Sequence, residues 1–485
     1  MALILYTTAI GLGLFALLQW IWTRRNLYYL SWQLPGPLAF PFVGNFFQLI
    51  NYHENLKALL KYSSKYGTLF RFWIGTKLYV ITTEPSDMEV ILHHPNCIDK
   101  DDSYKFFEEG FGTIGLFTIQ GQKWKRHRKL ITPTFNSRSV NMYVPIFNKR
   151  IKEFVTTLSS KVDSEAFDVR AAFILVFIQM ILDTTIGYNI NPEGVNVYSK
   201  FLLEGQIMAT KRYFNPFYQL DFIWKLTRYP NIAKEVSEYR TALFEKIIKE
   251  RSSVSEDEKV LFLDRLLKIS EENSDFTMED VKGEGNTAIM AGSDTSTGSL
   301  AMVLFMLAMH PECQEKAYNE LLTVFPDKDH KDLEVTIDDL SKLFYIDMCV
   351  KEALRVFPTV AVIARSARGD IPLRTYTIPE GASIAIDIFS LHRSKKYWGD
   401  NADQFIPERF DGGEKLLHPY AYMAFSHGPR NCIGFRYALV AIKLVTVYML
   451  LNYRFTTPLK MTDLNYYSEI NLHVKEKLMV QMHRR

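Results

Sequence analysis

Phe425-Ser426-His427-Gly428-Pro429-Arg430-Asn431-Cys432-Ile433-Gly434 is the stretch on which the reading of this chain turns. It opens on an aromatic, passes through Gly428 and Pro429 as turn residues, and delivers one cysteine just before a nearly all-apolar helical pattern, Phe435 to Leu451. A thiol in a tight loop at the start of a buried helix has its thiolate stabilised by the helix N-terminus and by loop amides. Gly428 and Gly434 permit close backbone approach, so a flat ligand can lie against the sulfur. Arg430, two residues before Cys432, can reach an anionic group on the same ligand. Thiolate, aromatic shield and cation together suit a haem with cysteine as its axial ligand.

Phe425, Gly428, Arg430, Cys432 and Gly434 also occupy every fixed position of Phe-x-x-Gly-x-Arg-x-Cys-x-Gly, and in this the chain resembles the cytochrome P-450 haem-thiolate monooxygenases. The plain alternative is a buried structural cysteine in a Gly-rich loop. It leaves unexplained the further motifs that appear in family order along the rest of the chain.

Toward the N-terminus come Pro407-Glu408-Arg409-Phe410 and Lys351-Glu352-Ala353-Leu354-Arg355. Glu352 and Arg355 share a helix face at i, i+3. Alone, such a pair is usually a surface ion pair; with Arg409 behind it, the resemblance implies a three-membered structural cluster. Arg365 stands where the family places a propionate-binding arginine, with Thr359, Val360 and Ala361 lining the pocket before it.

Phe276 to Met309 reads as one long helix carrying Ala291-Gly292-Ser293-Asp294-Thr295-Ser296. Glycine, acid and hydroxyls in mid-helix weaken helix propensity, and a hydroxyl bonding back to the preceding turn opens a groove. A simple kink is the alternative. The resemblance implies an oxygen-activation segment, with Asp294 and Thr295 as the catalytic pair that holds a proton-delivering water chain. Ala291 departs from the fatty-acid ω-hydroxylase branch, which has many insect members and which the chain otherwise resembles most. That branch typically carries a glutamate there that bonds covalently to haem, so the departure weakens a fatty-acid assignment.

Gly121 to Lys129 is the basic cluster, with Trp124 and Arg128 four apart on one helical face. By itself it reads as a solvated basic face or a nucleic-acid patch. The resemblance assigns Trp124 and Arg128 to a haem propionate, and leaves Lys123, Lys125, Arg126 and Lys129 as a positive surface for an acidic electron donor. Phe201, Tyr213, Phe214, Phe217, Tyr218 and Phe222 form an aromatic stripe that is usually core; the resemblance places it over the substrate pocket and against the membrane. Leu69 to Trp73 and Leu78 to Thr82 alternate as a hairpin around Gly75, and Glu84-Pro85 opens a short helix.

Ala2 to Trp22 is an uncharged apolar run, long enough to cross ~30 Å of hydrocarbon. Trp20, Trp22 and then Arg24-Arg25 follow the order of an interface and a cytoplasmic flank. A cleaved signal wants a basic segment before the run and a small-residue cleavage site after it, and neither is present here. A retained anchor is the expectation. Leu34-Pro35-Gly36-Pro37, Pro41 and Gly44 then stiffen a hinge.

The chain has 485 residues, a net charge of +3 and four cysteines. Length alone suggests about three domains, yet no Gly/Ser- or Pro-rich linker separates them, so one large unit fits better. The charge is too small to argue for nucleic acid. Cys97, Cys313, Cys349 and Cys432 are scattered without a CxxC pair, which suits a reducing compartment.

The expectation is a mainly α protein with a minor β portion, the cytochrome P-450 fold, with an N-terminal transmembrane helix. It divides into an anchor over 1–25, a Pro-rich hinge over 26–45 and a haem-thiolate catalytic domain over 46–485, with the tail Thr456 to Arg485 completing the small sheet. The resemblance further implies haem b on Cys432, Trp124, Arg128, Arg365 and Arg430 on its propionates, and Phe425 shielding the sulfur. It implies oxidation of a lipophilic hormone, fatty acid or foreign compound such as an insecticide. Electrons come from NADPH through a flavoprotein reductase at the endoplasmic reticulum membrane, with the catalytic domain on the cytoplasmic side. A haem-thiolate isomerase or dehydratase shares the fold but generally lacks a pair like Asp294-Thr295. A non-catalytic haem-binding protein would tolerate loss of that pair.

Overall fold

Thr277 starts the helix on which the fold is hung. Its hydroxyl accepts from the Asp280 N–H at 3.3 Å, while the Asp280 carboxylate accepts from the Thr277 N–H at 2.9 Å, a reciprocal cap that sets the first turn at Met278. Met278–Met309 then runs unbroken for ~48 Å at 1.5 Å per residue. The protein is described here from a computed structural model covering residues 2–40, 43–45, 54–187, 192–215, 217–251, 261–326, 332–412 and 417–485. Pro41 of the expected hinge lies outside the described residues.

From Leu300 to Ala308 the long helix is buried on all sides. It packs there against Val169–Thr185, Phe344–Val356 and Phe435–Asn452, the helix that follows Cys432. A helix apolar all round belongs in a core or a membrane. Phe435–Asn452 takes the first course and is mostly buried within the protein, whereas Leu5–Thr23 of the N-terminal helix Ala2–Thr23 has none of its length buried.

The expected hairpin forms as Leu69–Ile74 and Lys77–Thr82, antiparallel, with Leu69 opposite Thr82. Lys77–Thr82 pairs in parallel with Ser383–Asp387, which pairs antiparallel with Val362–Ser366 and sets Arg365 opposite Ile384. Pro85 opens the next helix, Pro85–His93, where its missing N–H costs nothing.

The tail departs from expectation. Met479–Arg484 pairs with Tyr453–Thr456 and Phe167–Asp168, and Tyr466–Ser468 pairs with Leu472–Val474, so the tail builds sheets of its own instead of completing the first. The Tyr466–Val474 hairpin finds its partner locally, and its Leu472 N–H docks on the Thr359 carbonyl at 2.7 Å. The aromatic stripe also divides. Phe201 packs tilted against Tyr239 and Tyr218 edge-on against Trp224, Tyr213 and Phe214 face the central cavity, and Phe217 and Phe222 are exposed.

Candidate active site

Sheet, long helix and cysteine loop enclose a cavity of about 470 Å³. Cys432, Phe425, Trp124, Arg128, Arg365, Arg430, Asp294 and Thr295 all line it. Residues from four separated stretches of sequence thus meet in one chamber. Thr359 and Val360 line it as expected, whereas Ala361 is buried behind the wall.

The cysteine loop takes its shape from its backbone. Gly428 has φ +74°, and a Cβ there would meet the Leu92 carbonyl oxygen at 2.7 Å, so this turn accepts only glycine. The Cys432 N–H donates to the Phe425 carbonyl at 3.0 Å and closes the loop. The thiol is open to the cavity and lies deep among the residues that line it. Burial therefore pushes the thiol above its ordinary value, against the opposing pull of the Gly434 N–H, Arg128 and Lys100. The Gly434 N–H is one of the loop amides expected to favour the thiolate; desolvation opposes it and is the larger effect.

Cations crowd around this thiol. Arg128 donates to the Asn431 carbonyl at 2.9 Å and to Asn431 Oδ1 at 2.7 Å. Arg430 lies over the Trp124 ring at 4.0 Å and donates to the Ile98 and Ile119 carbonyls. Its Nη2 is buried with no hydrogen-bond partner among the described residues, 3.6 Å from Asp99. Arg365 is buried, and among the described residues its guanidinium bonds only its neighbour's carbonyl, that of Ala364. Sequence reading missed a further member, Lys100, whose Nζ sits 3.8 Å from the Phe117 ring and whose backbone bridges to that of Arg365. Burial and then Arg365 hold Lys100 well below its ordinary value and bring Arg430 down to about 9. Among the described residues, the one carboxylate within ion-pair reach of these cations is Asp99.

The Glu352 cluster is built to the opposite specification. Arg355, wholly buried, donates from Nε and Nη2 to both Glu352 oxygens at 2.7 and 2.8 Å. Its other donors take the carbonyls of His392, Ala402 and Gln404. Arg409 reaches Glu352 at 3.3 Å, as the motif order implied. His392 extends the cluster toward the cysteine loop: its Nδ1–H donates to the Arg355 carbonyl at 3.0 Å, and its Nε2 accepts from the Met423 N–H at 2.8 Å.

Asp294 is not free. Oδ1 accepts from Arg170 at 2.8 Å, and Oδ2 accepts from Gln206 at 2.8 Å and from Asn471. Burial alone would raise this carboxyl; Arg170, His473 and Gln206 outweigh it and hold it below the ordinary range. Thr295 donates back to the Ala291 carbonyl, the local bond expected of a mid-helix hydroxyl. Two of the basic-helix charges are likewise engaged, Lys123 with Asp280 at 2.6 Å and Arg126 with Asp275.

A helical fold with a small mixed sheet and one cysteine in a glycine-shaped loop among surplus cations defines a haem-thiolate class of protein. The chain belongs to the cytochrome P450 family, whose model matches residues 34–481. It is 30% identical to the probable cytochrome P450 313a4 of Drosophila melanogaster over 99% of both chains. It is 33% identical to the cytochrome P450 4c21 of Blattella germanica, over 91% of this chain and 92% of that one. The protein is thus a haem-thiolate monooxygenase that takes a lipophilic substrate and a redox partner, in a branch with insect relatives.

Proposed function

We propose that haem lies in this cavity on Cys432 and that NADPH supplies electrons through a flavoprotein reductase. One observation carries the placement: Lys100, Arg128, Arg365 and Arg430 converge on Cys432 opposite a single carboxylate, Asp99. A haem brings two propionates and a thiolate-stabilising iron, so the residues present fit the group. When bound it supplies dioxygen activation, with the thiolate favouring O–O cleavage.

The chain's own residues do the rest. Trp124 and Arg430 brace each other at the propionate edge, Arg128 and Arg365 flank them, and Phe425 covers the sulfur side. The Thr295 hydroxyl, now turned to the Ala291 carbonyl, faces the cavity and by rotating about χ1 holds a water there. Asp294 beside it keeps a charged carboxylate that accepts a proton and passes it on. A positioned proton-transfer group of this kind contributes ~10²–10⁴-fold.

The same reading takes 1–25 as a membrane anchor, 26–45 as the hinge and 46–485 as the catalytic domain on the cytoplasmic side of the endoplasmic reticulum. Its support is the exposed apolar helix followed by Arg24 and Arg25. With Lys123 and Arg126 paired, Lys125 and Lys129 are the exposed charges left to meet an acidic reductase.

Cys432→Ala is expected to abolish the reduced, CO-bound absorption of thiolate-ligated haem while helical content persists. Survival of that absorption refutes the ligand. Thr295→Ala is expected to keep haem and substrate binding and to lower product formed per NADPH, with hydrogen peroxide released in its place. An unchanged ratio leaves Thr295 a kink residue.

A further inference from the structure

We propose that the substrate is an uncharged lipophile, and that lipids bearing a free carboxylate are disfavoured by the charge layout of the cavity. The inference rests on the haem placement above. Among the described residues, the cations lining the cavity are Lys100, Arg128, Arg365 and Arg430, and these interact with one another and three of them with Asp99 or Cys432. Asp99 and the two propionates would take up three of those four charges, the thiolate's own charge being met by the iron, and all four cations belong to the haem seat around Cys432. Among the described residues, the rest of the wall offers a substrate no cation.

The remaining charged side chains of the wall are Glu284, Asp294 and Glu469, all acids. Burial raises the Glu469 carboxyl above its ordinary value, Arg170 opposes it, and the neighbouring Asp294 adds to the rise. Several of the wall's neutral donors are committed as well, whereas the buried Thr210 hydroxyl, without a partner among the described residues, remains open to a neutral carbonyl. Gln206 and Asn471 point at Asp294, Gln219 donates to the Tyr213 carbonyl at 2.8 Å, and Ser299 pairs with Thr359 at 2.7 Å. A carboxylate brought in here loses its water and meets acids and few open donors, a costly form of burial. What the wall offers instead is aromatic surface from Phe107, Phe117 and Tyr213, whose rings pack together at 5.6 and 6.3 Å. Ala291, with a methyl group facing the cavity, adds apolar surface to the same wall.

The test uses the haem-loaded full-length protein and a near-isosteric pair, dodecanamide and dodecanoic acid, titrated by substrate-induced absorption change at pH 7.4. The amide is expected to bind at least tenfold more tightly. Glu469→Gln is expected to narrow that gap by strengthening the acid and leaving the amide unchanged. Equal or tighter binding of the acid to the wild type overturns the proposal, as does a gap that Glu469→Gln leaves untouched. The CO-bound spectrum and haem content are recorded first. If they fail, the haem placement has failed; if they hold and the acid binds as well as the amide, this inference alone has.

Discussion

Two groups of buried charge, Glu352–Arg355–Arg409 and Lys100–Arg128–Arg365–Arg430, use the same side chains to opposite ends. In the first, every Arg355 donor is spent, on Glu352 and on the carbonyls of His392, Ala402 and Gln404. In the second, among the described residues, the Arg365 guanidinium has only the Ala364 carbonyl, and Arg430 keeps a buried nitrogen without a partner. A guanidinium removed from water is tolerable when its hydrogen bonds are all made, and costs several kcal/mol when they are not. Saturation marks the first group as internal scaffolding. Shortfall marks the second as a seat for a ligand that arrives with its own negative charge.

The contrast is most exposed to Glu352→Ala. Removing that carboxylate strands Arg355 and Arg409 together, and a loss of about 3–5 kcal/mol is expected in denaturant unfolding. A loss under about 1 kcal/mol erases the distinction. Next in size is a pH effect on the saturated side. Burial holds His392 neutral, with its value lowered to about 3 from 6.5. Because the folded value lies below the unfolded one, the unfolded chain takes the proton first. This contribution is therefore intact above pH 6.5 and drains away as pH falls toward 3, by about 1.4 kcal/mol per unit. Thermal unfolding at pH 7 and pH 5 reads it, and His392→Gln is expected to flatten the difference.

On the unsaturated side the sign reverses. Arg365→Met is expected to leave the haem-free protein as stable or about 1 kcal/mol more so, yet to speed haem loss to an acceptor protein at least tenfold. Destabilisation of the haem-free form would place Arg365 with the scaffold instead. Smallest is Lys123→Ala: its half-exposed pair with Asp280 is expected to contribute at most about 1 kcal/mol, and high salt to remove what there is.

Much of this site was legible before any coordinates, for a reason that can be stated locally. The cysteine loop needs glycine where φ is positive, and Glu352 and Arg355 need i, i+3 spacing on a helix. Thr277 and Asp280 cap the long helix through neighbouring backbone. Each of these demands falls within a few residues, so it leaves a pattern in the chain.

Lys100 left none. It stands in Asp99-Lys100-Asp101-Asp102, which reads as a solvated turn. Asp101 is in fact buried, held by Lys77, Ser103 and Ser383, and that clamp helps turn Lys100 toward the cysteine. Nor did the sequence announce that Arg170, Gln206 and Asn471 close on Asp294, since those partners lie 124, 88 and 177 residues away. The cysteine shows the same division within one residue. Its loop, its register and its neighbours in sequence were set by local backbone demands, and those predict a stabilised thiolate. Whether the sulfur holds its charge depends on how much water the whole fold removes from around it, and desolvation sums over every segment that packs nearby.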